Sequence, residues 1–228
     1  MNWYTPLKPA EIAEQRLVQA ILENVFPINS FLPPERDLSA KIGVTRPTLR
    51  EALQRLARDG WLEIHQGKPT RVRDYWSEGN LSVLSSIAKY EKDISPNFII
   101  QLLEIRVLLS PTYTQLAIQK KPKLIADYLS NRPQNNDLAE HFAKFDWELQ
   151  QLLAQNSGNP IFTLILNGFE ELYKQKGILY FSTHAARENS ENFYKQLWQA
   201  ALEKDHQLAF QIALQTMQTS IQLMKSIL

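Results

Sequence analysis

Apolar residues recur at helical spacing along most of the 228-residue chain. In residues 10–24, Ile12, Leu17, Ala20 and Ile21 share one face of a predicted helix. In FPINSFLPPERDLSAKIG, Pro34 stands where a helix can start, Leu38 and Ile42 form an i, i+4 apolar pair, and Gly43 suits a left-handed stop. Thr45 can cap the next helix, Pro47 is tolerated in its first turn, and Leu49, Ala52, Leu53 and Leu56 make its apolar stripe up to Gly60. Two helices across a Gly-containing tight turn form a helix-turn-helix pattern. The period then changes from 3.6 to 2. Leu62-Glu63-Ile64 and Thr70-Arg71-Val72-Arg73 alternate as half-buried strands do, and Gly67 between them permits the positive φ of a turn. Helix-turn-helix followed by a two-stranded ribbon is a winged helix, a more specific pattern than either part.

Residues 74–80 have linker character. Beyond them LSVLSSIAKY, NFIIQLLEIRVLLS, KLIADYL, EHFAKFDWELQQLLAQ, IFTLILNGFEELYKQ, ENFYKQLWQAALEK and HQLAFQIALQTMQTSIQLMKSIL carry helical periodicity. Pro96, Pro122, Pro133 and Ser157-Gly158-Asn159-Pro160 break the pattern, and no strand is convincing. The expected fold is mainly α. A winged-helix domain with a small β-ribbon wing spans 1–76, and an all-α bundle of six or seven helices spans 77–228. Bundles place ligand sites in their interior.

The composition, 44% hydrophobic with seven glycines, agrees with a helical globular protein. Charge changes the picture more. Between Arg36 and Arg73 nine Lys/Arg face four Asp/Glu, a net +5 within a chain of net +1, so a polyanion partner is expected at one end only. Arg46 and Arg50 lie one turn apart in the half of the second helix that meets base edges when such a helix enters a major groove. Arginine donates two parallel hydrogen bonds to guanine, Thr45 and Thr48 can meet phosphate or a thymine methyl, and Arg36 can reach the same groove. The wing tip Gln66-Gly67-Lys68 combines a slim backbone with a cation, as a minor-groove contact needs. Arg55 and Arg58 read as solvated surface, Arg55 pairing with Glu51. Zero cysteines exclude disulfides and thiolate chemistry, no run approaches a membrane span, and MNWYTPLKPAEIAEQRL lacks an apolar signal core, so the expected location is cytoplasmic.

At LPPERDLSAKIGVTRPTLREALQRLARDGWLEIHQGKPTRV the chain resembles the DNA-binding domain of GntR-family bacterial transcription regulators. The likeness lies in P-x-E-R-x-L, R-x-x-x-R-E-A-L and the glycine-tryptophan entry to the wing. Together with SGNPIFTLILNG and LYKQKGILYF, it is similar to the family's fatty-acid-responsive FadR subfamily over most of its length. That resemblance implies DNA contact by Arg36, Thr45, Arg46, Thr48, Arg50, Gln66, Gly67 and Lys68, on a palindromic double-stranded operator bound by a homodimer. Pro47 departs from the subfamily's threonine, and His65-Gln66 reverses its Gln-His. Related effector domains hold a divalent ion with Asp and His. Here Asp146 is followed by Gln150 where a histidine is expected, and Tyr194 and Thr216 stand near the later histidine positions, so no metal is expected. The subfamily binds long-chain acyl-CoA, and Arg106, Tyr173, Tyr180 and Ser220 are similar to its pocket positions. Met217 and Met224 replace a glycine and a tryptophan near Ser220, and methionine could obstruct or reshape the pocket. No catalytic arrangement stands out and no cofactor is expected. The resemblance implies a repressor or activator of fatty acid metabolism that releases operator DNA on binding acyl-CoA. The alternatives are a regulator responding to a different carboxylate or amphipathic metabolite, and an all-α enzyme or adaptor with a vestigial DNA domain.

Overall fold

A computed structural model describes residues 8–90, 94–134 and 136–228; the first seven residues of the domain expected at 1–76, and the start of the N-terminal segment examined for a signal core, lie outside them. The chain divides into two compact units, Met1–Asp93 and Ile94–Leu228.

In the first unit α1 (Pro9–Leu22) packs on α3 (Arg46–Arg58), with α2 (Glu35–Ile42) beside them. Leu17, Val18, Leu38, Leu49, Leu53 and Leu56 make the shared core. The turn between α2 and α3 depends on Gly43, whose φ of 74° is left-handed backbone open to glycine at little cost. Thr45 takes extended backbone and its hydroxyl accepts from the Thr48 N–H, starting α3 as expected of a cap.

The wing is an antiparallel pair, β1 (Leu62–Glu63) with β2 (Arg71–Val72), in register Leu62 with Val72 and Glu63 with Arg71. Both strands are shorter than their alternation predicts. A third segment joins the ribbon. Phe31 bridges to Arg71, Leu32 N donates to Thr70 O at 2.8 Å, and Val72 N donates to Ser30 O at 2.8 Å. FPINSF has no alternation to announce this, because the pairing is made with residues about forty positions away. Where a linker is expected, Tyr75–Glu78 form a short helix, α4. The next helix, α5 (Leu81–Tyr90), packs on α1 in this first unit.

The second unit contains, among the described residues, α6 (Pro96–Lys120), α7 (Pro122–Leu129), α8 (Ala139–Asn156), α9 (Pro160–Asn167), α10 (Glu170–Phe181), α11 (His184–Glu203) and α12 (His206–Lys225). α6 packs along α12 and α8; α11 packs on α12 and α7; α10 packs on α8. Phe142, Leu149, Leu153, Phe181, Phe193 and Tyr194 lie in the core. Two local rules are overridden. α6 continues through Pro111 instead of ending at Ser110, because Ser110, Pro111, Tyr113 and Thr114 are all buried there and packing outweighs the lost backbone bond. IFTLILNGFEELYKQ, one periodic stretch in sequence, breaks between Asn167 and Glu170. No helix among the described residues is long and apolar enough to cross a membrane.

Candidate functional site

The first candidate surface is the basic part of the N-terminal unit, where the structure separates exposed arginines from tethered ones. Arg46 is exposed and, among the described residues, has no ion-pair partner. Arg50, one turn on, keeps 64% of its side chain exposed and its Nε meets Glu35 at 2.7 Å. Arg36 is 81% exposed and touches Asp37 at 3.1 Å. Exposed pairs of this kind are worth about 0–1 kcal/mol, so a phosphate or a guanine edge can displace them. Thr45 and Thr48 share a hydrogen bond between their hydroxyls at 2.8 Å, at the N-terminus of α3. Gln66, Gly67 and Lys68 are all exposed. The tip is held by Gly67 at φ 74° and by the Lys68 N–H on His65 O, with open space where a Cβ would stand.

Two further arginines have structural work. Arg55 spans Glu14 at 3.0 Å and Glu51, tying α3 to α1. Arg71 holds Glu63 at 2.6 Å and Glu78 at 3.1 Å at the base of the wing. The hydrogen bond from Arg71, and after it one from His65, holds the Glu63 carboxyl below its usual range. His65, reversed in order with Gln66 relative to the subfamily, is thus directed back to the ribbon, and Gln66 stands at the tip.

The second candidate is a cavity inside the C-terminal unit, with about 900 Å³ of empty space including its open mouth. Its wall is mostly apolar, with Leu102, Leu103, Phe162, Leu166 and Trp147 among its residues. Arg106 from α6, Tyr173 and Tyr180 from α10, and Ser220 from α12 all line it. Ser220 is therefore a buried wall residue and does not face solvent: its Oγ accepts from Tyr180 OH at 3.0 Å and donates to Thr216 O at 2.8 Å.

The anchor of this wall is Asp146, only 3% exposed on α8. Arg106 Nη2 donates to its Oδ2 at 2.8 Å, Tyr173 OH donates to the same oxygen, and Tyr194 OH donates to Oδ1 at 3.0 Å. Burial, the largest single effect, lowers the Arg106 guanidinium, but the Asp146 carboxylate together with Tyr173 and Tyr113 raises it by more and holds it above its usual range. Burial first, and then the same carboxylate, pushes the Tyr173 and Tyr194 hydroxyls well above theirs. A guanidinium and two hydroxyls thus occupy both oxygens of this carboxylate. No group of three or more His, Cys, Asp or Glu residues that could hold an ion occurs among the described residues.

The sequence singled out Asp146 only as a remnant metal ligand, and it did not pair it with Arg106. The signal was present as two oddities: an acid set between the aromatics Phe145 and Trp147 in FDWELQQLL, and a lone cation in NFIIQLLEIRVLLS. Met217 and Met224 also separate. Met224 lines the cavity, whereas Met217, two turns earlier on α12, is buried but is not part of the wall. Of the two methionines, Met224 is the one that borders the space.

Comparison with known proteins matches residues 9–72 to the bacterial regulatory proteins of the gntR family and residues 73–228 to the FadR C-terminal domain. The chain is 48% identical over 198 residues to a fatty acid metabolism regulator protein of Shewanella pealeana, covering 87% of this chain and 83% of that one. It is 47% identical to the protein of the same description from Shewanella oneidensis, covering 87% and 82%. Among solved structures it shares the fold of Lar, described as controlling expression of the Listeria monocytogenes agr system, with a TM-score of 0.65 at 17% identity over 99% of both chains.

Proposed function

The chain belongs to the GntR family of bacterial regulatory proteins and carries the FadR C-terminal domain, and on that premise we propose that it regulates genes of fatty acid metabolism, holding operator DNA until a long-chain acyl-CoA fills the cavity of its C-terminal unit. It is a DNA-binding transcription regulator. In the proposed complex α3 enters a major groove, Arg46 and Arg50 read guanines, and Arg36, Thr45 and Thr48 secure the docking. Gln66, Gly67 and Lys68 reach the adjacent minor groove. One such unit reads only a few base pairs, so the operator is palindromic and the protein acts on it as a homodimer.

The observation that supports the effector is the convergence of Arg106, Tyr173, Tyr180 and Ser220 on one apolar cavity from three helices. The similarity to fatty acid metabolism regulator proteins supports fatty acid metabolism as the regulated process. A ligand that prefers the DNA-free form lowers DNA affinity by its ratio of affinities for the two forms, and DNA lowers ligand affinity by the same factor.

The test combines two measurements on the full chain. Thermal melting is followed with long-chain acyl-CoA, the free fatty acid and CoA alone. Operator duplexes selected from a random pool are then titrated by fluorescence anisotropy with and without each compound. A ligand at about a hundred times its Kd stabilises the fold by roughly 2.7 kcal/mol. Acyl-CoA is expected to raise the melting temperature by several degrees and to release the duplex. If it does neither, the effector assignment is lost while the DNA-reading half stands on its own titration.

A further inference from the structure

One polar group in the cavity wall has no part in the coupling just described. Gln150, on α8, lines the cavity and is fully buried. Its Oε1 accepts from Tyr113 OH at 2.6 Å and from Ser110 Oγ at 3.1 Å. The 2.6 Å separation is that of an O–H···O bond and is short for N–H···O, which assigns the oxygen of the amide to this side. Nε2 is then the free end of the group, and it is shielded from solvent without a partner. Arg106 Nε, also in the cavity wall, is shielded and unpartnered as well. A donor left unpaired in an apolar wall is costly, so the two together favour a ligand that brings an acceptor.

Charge selects the kind of acceptor. The Arg106 cation is already neutralised by Asp146 at 2.8 Å, and Gln150 carries no charge. An anionic oxygen placed here would be buried without a counter-ion, whereas a neutral oxygen at either donor avoids that cost.

We propose that Gln150 is a specificity-determining residue of this cavity, donating from Nε2 to a neutral acceptor oxygen on the acyl part of the ligand. The proposal rests on the acyl-CoA reading above. Two sources supply such an oxygen, the thioester carbonyl and a hydroxyl substituent near it on the chain, and both are read by the same amide. A ligand lacking the oxygen leaves the buried donor unpaired and binds less tightly.

The experiment measures Kd by calorimetry for hexadecanoyl-CoA, for S-hexadecyl-CoA, which lacks the carbonyl, and for 3-hydroxyhexadecanoyl-CoA. It uses the full chain and the Gln150→Leu and Gln150→Met variants. In the unmodified protein one of two preferences is expected at about tenfold, equivalent to about 1.4 kcal/mol: carbonyl over thioether, or hydroxyacyl over plain acyl. That preference collapses towards unity in both variants, and whichever one collapses identifies the source. A second readout needs no variant. The Gln150 side-chain amide protons, followed by NMR, move downfield with the ligand carrying the oxygen and stay in place with the one lacking it. Preferences that are the same in the unmodified protein and the variants, or amide protons that ignore the difference, overturn the role of Gln150 and leave acyl-CoA as effector. If none of the three compounds binds the unmodified protein, both readings fall.

Discussion

Replacing Asp146 by asparagine exchanges one oxygen for an amide nitrogen and leaves the Arg106 guanidinium without its carboxylate. The Asp146 side chain is 4% exposed and that of Arg106 19%. Removing one partner of a buried pair costs about 3–5 kcal/mol, because the other charge stays behind uncompensated. The one-fifth exposure of Arg106 lets water reach part of the guanidinium, which places Asp146→Asn near the lower end, about 3 kcal/mol. Arg106→Met leaves a more deeply buried carboxylate with only the Tyr173 and Tyr194 hydroxyls, and its expected cost is nearer 4 kcal/mol. The double variant removes both charges while the asparagine amide still meets both hydroxyls. Replacing a whole buried pair is often close to neutral, so the double variant is expected to lose only about 1–2 kcal/mol, less than either single change. Urea unfolding followed by helical circular dichroism, without ligand, measures all three, with the slope checked for constancy. A double variant as unstable as the two singles added together, or a single Asp146→Asn cost below about 1 kcal/mol, would refute the claim that this pair is a coupled buried unit.

Arg46→Ala and Arg50→Ala should each lose about 1–3 kcal/mol on the selected operator and relax its base preference. Lys68→Ala should weaken all duplexes alike and flatten the salt dependence by about one ion; anisotropy on specific and random duplexes separates the two outcomes, and equal losses for the arginine variants on both duplexes would remove their base-reading role. Met217→Gly should cost stability, about 2–5 kcal/mol for the lost core side chain and about 1 more for glycine in a helix, with no gain in acyl-CoA affinity. Met224→Ala, by contrast, should shift the preferred acyl length upwards in calorimetry, and an unchanged length preference would count against its place in the wall. Burial and the Asp146 carboxylate raise Tyr173 and Tyr194, so their protonated forms favour the fold. Their contribution is complete below the usual tyrosine value of about 10 and is lost as pH rises above it, because the unfolded tyrosines ionise first. Melting temperatures should fall above about pH 10, less steeply for Tyr194→Phe, and an unchanged slope in that variant would contradict the assignment. Divalent ions should give no saturable shift in melting temperature. An ion at Asp146 would have to displace the guanidinium and two hydroxyls that already fill it, so a shift abolished by Asp146→Asn would overturn that account.

The winged helix was legible because its turns carry their own chemistry. Gly43 and Gly67 sit at the positive φ their positions require, and Thr45 caps the helix that follows it. The segment Ser30–Leu32 that bridges to the ribbon was not, since its hydrogen bonds go to Thr70 and Val72 and nothing local encodes them. Pro111 is the opposite case: a residue that locally disfavours helix lies inside α6, where burial overrides it. In the cavity, Arg106, Tyr173, Tyr180 and Ser220 were reached through resemblance, and the structure brings them to one wall. Asp146 and Gln150 were visible as residues and invisible as partners. Arg106 lies forty positions from Asp146, and Ser110 forty from Gln150, so the pairing exists only once α6 lies against α8.

The two units use arginine in opposite ways. Arg36 and Arg50 keep their carboxylate partners in water, where the pairs are weak enough to be exchanged for phosphate or base edges. Arg106 keeps its partner inside, where exchanging it would strand a carboxylate among Phe145, Trp147 and Tyr194. The cavity's guanidinium is therefore poorly suited to neutralise an incoming anion. Its remaining capacity, and that of Gln150 beside it, is for neutral hydrogen-bond acceptors. Under the proposed reading, the phosphates of an acyl-CoA need a cation other than Arg106, and Lys176 is a half-exposed lysine among the lining residues; the interior would then distinguish ligands by chain length and by where an oxygen falls along the chain.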